Sequence, residues 1–581
     1  MVTQGKEYTA VIESVSSDGN GVAHIDNLAV FVPRTLNGDK VKIRIDSVKK
    51  RFATARAVEI IEPSPNRRIS DCHLYGICGG CQLRHAEYTE QLRIKKSILE
   101  NAMRRLGGFK DFALSEIVGM ENPSRYRNKM IFPVGSKDNK NVCGFYEQKS
   151  HKVIPVTDCL LGDEINAKIT EAVIRYMNEN NVSAYDEKTH TGIIRRVYTR
   201  KSFSTGEVMA IICANAKRLP ESGKLVDALC QISDRIVSII LNVNTKKNSP
   251  EITDKNITLW GKAELEDTLQ NIKFNISPQS FFQVNPVQTE KLYSRALEYA
   301  GIDDTKHVLD IYCGIGTISL CAAKKAKSVI GVEIVEKAIE DARENAKENG
   351  ILNAEFYADS AENIVPKLIA NGEQPDIVIL DPPRKGSDEK TLAAIVKAQP
   401  ERIVYVSCNP ATLARDARYL ADNGYAITRA SAFDLFPNTV HIETVISMTK
   451  NLYTLTFYDD LNGYREEFFI GVFASYDAAE SIAKKYLSDI PGFKDYHCEY
   501  EIKAKNIIGA INASETVSII WGWNINNSMN EVDIWESDLY ADKNEAQTLL
   551  TSVQKEIMRK EWCVDTYRIG ECNWKNGFTR G

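Results

Sequence analysis

The chain has 581 residues, with 73 Lys+Arg against 78 Asp+Glu, 43% hydrophobic residues and 13 cysteines. That length exceeds what one core holds, so several domains are expected, and the ordinary composition excludes collagen-like and disordered chains. MVTQGKEYTAV has no apolar leader and no run is long enough to span a membrane; the expected compartment is cytoplasmic, with cysteines as thiols, ligands or catalytic groups rather than disulfides.

Residues 5–61 read as short strands and turns. EYTAVIESV alternates, DGNGVA supplies a glycine-rich turn, and AVFVPRTLNGDKVKIRI gives strand, turn and strand. A small β-barrel over residues 1–62 is expected, a fold that often binds nucleic acid but does not establish it. Pro63 and Pro65 then punctuate the chain, and residues 63–275 are taken as a central domain. It opens with Cys72, Cys78 and Cys81 in CHLYGICGGC and a basic helical stretch from about Gln91 to Arg105. Residues 110–275 mix strands and helices without a chemical motif.

From about residue 280 strand and helix alternate, as in a doubly wound parallel sheet. The strands end in polar residues: VLD at Asp310, SVIGVE at Glu333, AEFYAD at Asp359, DIVILDPPR at Asp381 and RIVYVSCNP at Cys408. Ligands bind outside the carboxyl ends of such strands, so four carboxylates and a thiol are expected on one edge. Gly314 and Gly316 permit a tight turn and a close approach to a ligand, and Glu333 suits ribose hydroxyls. GIGTIS lacks the third glycine of the dinucleotide fingerprint. With Asp359, that absence points to an adenosine-bearing donor without a pyrophosphate. Taken singly, each acid is more often a helix N-cap; five residues in register argue for a site.

A lone cysteine at a strand end is usually a small buried hydrophobe. Cys408, however, precedes Asn409, Pro410 and a helix expected from Thr412. A thiol near a helix N-terminus is favoured as thiolate. Glu443, in TVHIETV, opens a last strand. If that strand returns antiparallel, its start lies beside Cys408, pairing a nucleophile with a base.

Residues 451–581 carry 13 basic and 21 acidic residues and five of the six tryptophans, whereas residues 1–450 carry 60 and 57. The shift marks a boundary near residue 450. FASYDAAE at 473–480 aligns with YADKNEAQ at 540–547, an offset of 67. Two copies of a small αβ unit are expected, with Ser475 and Asp542 as N-caps; chance likeness between amphipathic helices is the competing reading.

Residues 1 to about 450 resemble the bacterial RNA uracil-5-methyltransferases, in particular the 23S ribosomal RNA branch. CHLYGICGGC, FFQVN at 281–285, DIYCGIGT, DPPRKG, SCNPATLARD and HIETV carry the resemblance. It implies a TRAM RNA-binding barrel, a Rossmann-like S-adenosylmethionine methyltransferase domain over 276–450, and no counterpart for 451–581. It implies Gln283, Tyr312, Glu333 and Asp381 as donor contacts, Asp359 near the adenine, Cys408 as nucleophile and Glu443 as base. Cys72, Cys78, Cys81 and Cys159 match the ligands of a 4Fe–4S cluster, although by spacing alone zinc is an equal reading. The expected function is methylation of carbon 5 of an unpaired uridine in 23S rRNA by a monomer, with the tail offering tryptophans to a protein partner. An amino-methyltransferase, suggested by DPPR, leaves Cys408 and Glu443 without roles. An RNA-binding assembly factor without turnover predicts no donor binding.

Overall fold

The computed structural model describes residues 2–110, 112–114, 117–138, 140–156, 158–247, 252–461, 464–474, 476–496, 498–508, 516–526 and 531–579. Glu7–Glu62 forms a six-stranded sheet around Ile12, Val30, Val32, Ile43 and Ala53. Alternation in Lys40–Val48 buries Val41, Ile43 and Ile45 and turns Arg44 and Asp46 outward, and Phe52–Glu62 buries Ala53 and Ala55.

The cysteine-bearing segment leads into the helix Tyr88–Arg105. The central region then builds a seven-stranded sheet, Lys129 to Gly261, with the helices Ile165–Glu179 and Ser222–Cys230 packed on its apolar face. The hairpin Leu265–Leu269/Ile272–Ile276 closes this stretch of sequence but packs elsewhere. Its Leu269, Ile272, Phe274 and Ile276 join the core of the following unit. Ile117–Val118 also leaves the central sheet and pairs with Ala432 and Phe433.

That following unit is a doubly wound sheet. His307–Ile311, Ser328–Glu333, Ala354–Ala358, Ile377–Leu380 and Arg402–Ser407 are parallel, in spatial order third, second, first, fourth, fifth. Their near-continuous Val/Ile/Leu runs are buried on both faces, as covering helices demand. Glu443–Leu461 returns antiparallel beside the fifth strand, with Tyr425–Phe433 outside it.

The strand Glu443–Leu461 runs unbroken through residue 450, where composition places a boundary, yet its partners change there. Thr444–Thr449 pair with Arg402–Ser407 and Lys450 with Tyr425, whereas Asn451 onward pairs with Glu499–Asn506 and Tyr464–Phe473. One strand serves two sheets in succession.

The tail contains two strand–helix pairs. Tyr464–Phe473 and the helix Tyr476–Asp489 recur as Glu531–Tyr540 and Lys543–Glu556, every boundary displaced by 67. Asp542 caps its helix by accepting from Asn544 N; Ser475 lies outside the described residues. The sheet runs from Tyr464–Phe473 through Glu443–Leu461, Glu499–Ile508, Glu531–Tyr540 and Thr516–Asn526 to Glu561–Arg568. Gly570 N and Asn573 N donate back to Val472 and Ile470, closing the ring around Leu452, Val472, Val517, Ile519 and Leu539. The tryptophans are mostly packed rather than offered to solvent. Trp521 donates to Tyr567, Trp523 to Glu561 and Trp562 to the Arg559 carbonyl, Trp535 packs edge-on against Trp562, and Trp574 is 46% exposed. Among the described residues, no helix is long and apolar enough to cross a membrane.

Candidate active site and cysteine cavity

A cavity of about 630 Å³ opens at the carboxyl edge of the parallel sheet. Gln283, Tyr312, Gly314, Glu333, Asp381, Cys408 and Glu443 all line it. Tyr312 leaves the first strand with φ 72°, an unusual value for a side-chain-bearing residue, held because Tyr312 N and Cys313 N both donate to Val332 O. A Cβ added to Gly314 would meet no atom within 4 Å and would project into the open cavity. Gly316 does not line the cavity. At φ 81° it opens the helix Thr317–Ala323 against Phe356 and Ala342, so its requirement is conformational. Glu333 is pinned by Gly314 N on one oxygen and Val335 N on the other.

Two of the four expected carboxylates turn away. Asp310 sits inside its strand, fully buried, and accepts from Ser319; its second oxygen has no partner. Asp359 accepts from Ser360 N and from the Asn363 side chain and faces Lys367 at the start of the helix Ala361–Ala370, while Ser360, Ala361 and Glu362 line the cavity beside it. Residues at strand ends share an edge, but the local turn decides which side chains enter the ligand space.

Cys408 and Glu443 meet because their strands are in register. Ser407 opposes Thr444, so the next antiparallel step sets Cys408 across from Glu443. Asn409 caps the helix Pro410–Asp422, accepting from Ala411 N. The helix terminus does not prevail over burial: desolvation, with Glu443 and Asp381 nearby, pushes the Cys408 thiol up to about 11. The same burial raises Asp381 to about 7, Asp310 adding to the effect, and holds Glu443 well above the carboxylate range. Arg384, four residues into DPPR, acts in the opposite sense on both Cys408 and Glu443. It lies within 3.2 Å of the His441 ring nitrogens, and Asn409 and Thr412 fix its carbonyl. Sequence reasoning gave Arg384 no role; its signal was the pair of cations, Arg384 and Lys385, just after a strand-end acid.

The segment 434–442 before Glu443 is tied to the cysteine-bearing region. Lys95 and Asp434 form a fully buried ion pair, Tyr88 also donates to Asp434, and Gln91 accepts from Asn438 N. Breaking one partner of such a pair typically costs about 3–5 kcal/mol, since the other charge stays buried.

Cys72, Cys78, Cys81 and Cys159 line one cavity of about 190 Å³, although far apart in sequence. Desolvation raises the thiols of Cys78, Cys81 and Cys159, Cys81 to about 12. Arg84, 2% exposed and paired with Asp71, stands beside Cys81. Among the described residues, no group of three or more His, Cys, Asp or Glu side chains is gathered tightly enough for one metal ion.

Residues 87–451 match the family model described as tRNA (uracil-5-)-methyltransferase, and residues 1–58 match the TRAM domain. The chain belongs to the tRNA (uracil-5-)-methyltransferase family. Curated relatives of this family include an uncharacterized RNA methyltransferase of Clostridium tetani, 44% identical over 448 residues, covering 77% of this chain and 97% of the relative. One of Listeria monocytogenes is 42% identical over 455 residues, covering 78% and 99%. Among solved structures, a Pyrococcus abyssi tRNA (uracil-54, C5)-methyltransferase in complex with S-adenosyl-L-homocysteine superposes with a TM-score of 0.61. It is 28% identical, and the match covers 76% of this chain and all of that one. The family model stops where the long strand changes partners, and the tail lies beyond it.

Proposed function

We propose that this family member transfers a methyl group from S-adenosylmethionine to carbon 5 of an unpaired uridine in 23S rRNA, through a covalent Cys408 adduct. The observation that carries the reading is the opposition of Cys408 and Glu443 in the wall of the cavity that Glu333 and Gly314 also line. The cavity suits the donor: Glu333 presents a fixed carboxylate to ribose hydroxyls, Gly314 leaves room, and Ile334, Val335 and Ala361 give an apolar wall for the adenine. The bound donor supplies an electrophilic methyl on a sulfonium.

Cys408 thiolate adds to carbon 6 of the uracil, and the ring electrons move to carbon 5 and the carbonyl. Carbon 5 takes the methyl group, Glu443 removes the proton from carbon 5, and the carbon–sulfur bond to Cys408 breaks as the double bond returns. Burial that raises Glu443 makes it a stronger base once ionised. Arg384 holds charge on Cys408 that burial otherwise disfavours. The uridine leaves its stack to enter, at a cost of about a few kcal/mol that an unpaired position lowers.

The second cavity is assigned to a 4Fe–4S cluster. Four thiols from positions far apart in sequence line it, the number such a cluster takes. Arg84 offsets the negative charge of four thiolates. Incubating the protein and donor with unmodified 23S rRNA, and with unmodified tRNA in parallel, tests the reading. Mass-mapped 5-methyluridine at a discrete 23S position supports it; product in tRNA alone reassigns the substrate, and methylated amines overturn the reaction.

A further inference from the structure

A second cleft, of about 760 Å³, lies on the central sheet outside both cavities described above. The strand Lys129–Lys137 connects all three. Asn128, just before it, donates to the Gln283 carbonyl in the wall of the active site. Lys129 and Ile131 line the cysteine cavity, and Val134, Gly135 and Ser136 line the cleft. At ~3.3 Å per residue, the cleft stands roughly 20–25 Å from the active-site wall.

Its chemistry is that of a base pocket. The Arg195 guanidinium stacks on the Tyr185 ring at 3.7 Å and is held there by the Lys246 carbonyl, a flat pre-set platform. Tyr146 and His151 face one another across 5.3 Å at a second wall. The Glu187 carboxylate, half exposed, stands at this second wall. Tyr146 donates to one oxygen and Arg196 approaches the same oxygen at 3.8 Å; His151 lies 3.2 Å from the other. Asp186, the other acid, accepts from Lys188 N and Thr189 N on one of its oxygens. Lys152, Lys188, Arg195 and Arg196 leave the cleft net positive although the chain is net negative.

We propose that this cleft docks an unpaired guanine of the substrate RNA, stacked on the Arg195–Tyr185 platform with Glu187 reading its Watson–Crick edge. Unpaired bases are recognised by stacking on aromatic rings or guanidinium planes and by hydrogen bonds to that edge. Guanine alone offers a carboxylate two adjacent donors, N1–H and the 2-amino group. Adenine and cytosine place an acceptor beside their single amino group, and uracil flanks its N–H with two carbonyls. The surrounding cations suit the phosphates on either side. The proposal rests on RNA being the substrate and adds to it a determinant of which RNA is chosen.

The test is fluorescence anisotropy on the full chain with labelled oligouridines carrying a single central guanosine, inosine, adenosine or cytidine. The guanosine oligomer is expected to bind about tenfold more tightly than the adenosine and cytidine ones, the size of one bidentate contact. Inosine, lacking the 2-amino group, is expected to lose most of that gain. Glu187→Gln should erase the preference with an unchanged melting temperature, Arg195→Ala should weaken binding of every oligomer, and Cys408→Ala should leave the preference intact. Equal binding of all four oligomers by the parent, a preference that survives Glu187→Gln, or equal competition by a polyglutamate peptide overturns the guanine site. Methyl transfer to long RNA is scored separately. If transfer persists without base preference, only the guanine site falls; if no RNA is methylated, the methyltransferase reading fails on its own.

Discussion

Cys408 and Glu443 face each other across one antiparallel step, the first leaving a strand and the second opening its neighbour. The geometry brings a nucleophile and a base to one ring, but it also places a thiol beside acids in a buried pocket. Arg384 is the cation that works against that penalty. Replacing it by Met should move the Cys408 titration further upward, because an opposite charge that favoured the thiolate is gone. Alkylation of the Cys408 peptide by iodoacetamide against pH, followed by mass spectrometry, measures this. A titration that stays put or moves down would remove Arg384 from the account.

Asp310 gives a pH signature of stability rather than of activity. Burial raises it to about 7 from an ordinary 3.8, so the folded state binds its proton more tightly than the unfolded chain does. The resulting stability is fully present below the unfolded value and is lost as pH rises through the folded one. Melting temperature should therefore fall between about pH 4 and 7, and Asp310→Asn should flatten that slope. Equal slopes in parent and variant would contradict it.

The cysteine cavity predicts bound metal. Protein purified without oxygen should carry about four irons and four acid-labile sulfides per chain. Cys159→Ala should lose them and, through the ties from Lys95 to Asp434 and Gln91 to Asn438, loosen the segment before Glu443. Faster hydrogen exchange in residues 434–442 is the readout. Stoichiometric zinc without sulfide would replace the cluster.

The tail should be dispensable for methyl transfer. A chain ending at Lys450 keeps every pairing that Thr444–Lys450 make with Arg402–Ser407 and Tyr425, and removes only the second sheet. The tail begins about seven residues along the strand from Glu443, roughly 20–25 Å from the catalytic edge at strand rise, and its acidity repels phosphate. Activity within several-fold of the parent is expected. A collapse of RNA affinity with the core still folded would place the tail in the substrate surface.

Much of this site was legible because a parallel sheet sends its strand ends to one edge, so Glu333, Asp381 and Cys408 read as neighbours from the strand pattern alone. Asp310 and Asp359 could not be placed that way. Ser319 draws the first inward, and Ser360 N and Asn363 hold the second at a helix start, contacts set by turns that strand pattern does not encode. The thiol's surroundings were hidden for a related reason: a helix N-terminus is visible in sequence, whereas the burial that pushes the thiol up is not. The tail's recurring strand–helix pair showed in a few aligned letters, but the shared strand did not. Composition changes at residue 450 while the alternation of Glu443–Leu461 runs straight through.

The central claim is the order of events at Cys408 and Glu443, and adduct trapping tests it most directly. Cys408→Ala should bind RNA and donor and form no covalent species. Glu443→Gln should add the thiol and transfer the methyl, then stall because the carbon 5 proton cannot leave. It should accumulate an RNA–protein band that survives denaturing gels and carries label from the donor methyl. Loss of a positioned base typically slows its step by ~10²–10⁴-fold, enough to hold that band. A labelled adduct in Cys408→Ala, or turnover by Glu443→Gln at the parent rate with no trapped species, would contradict the account.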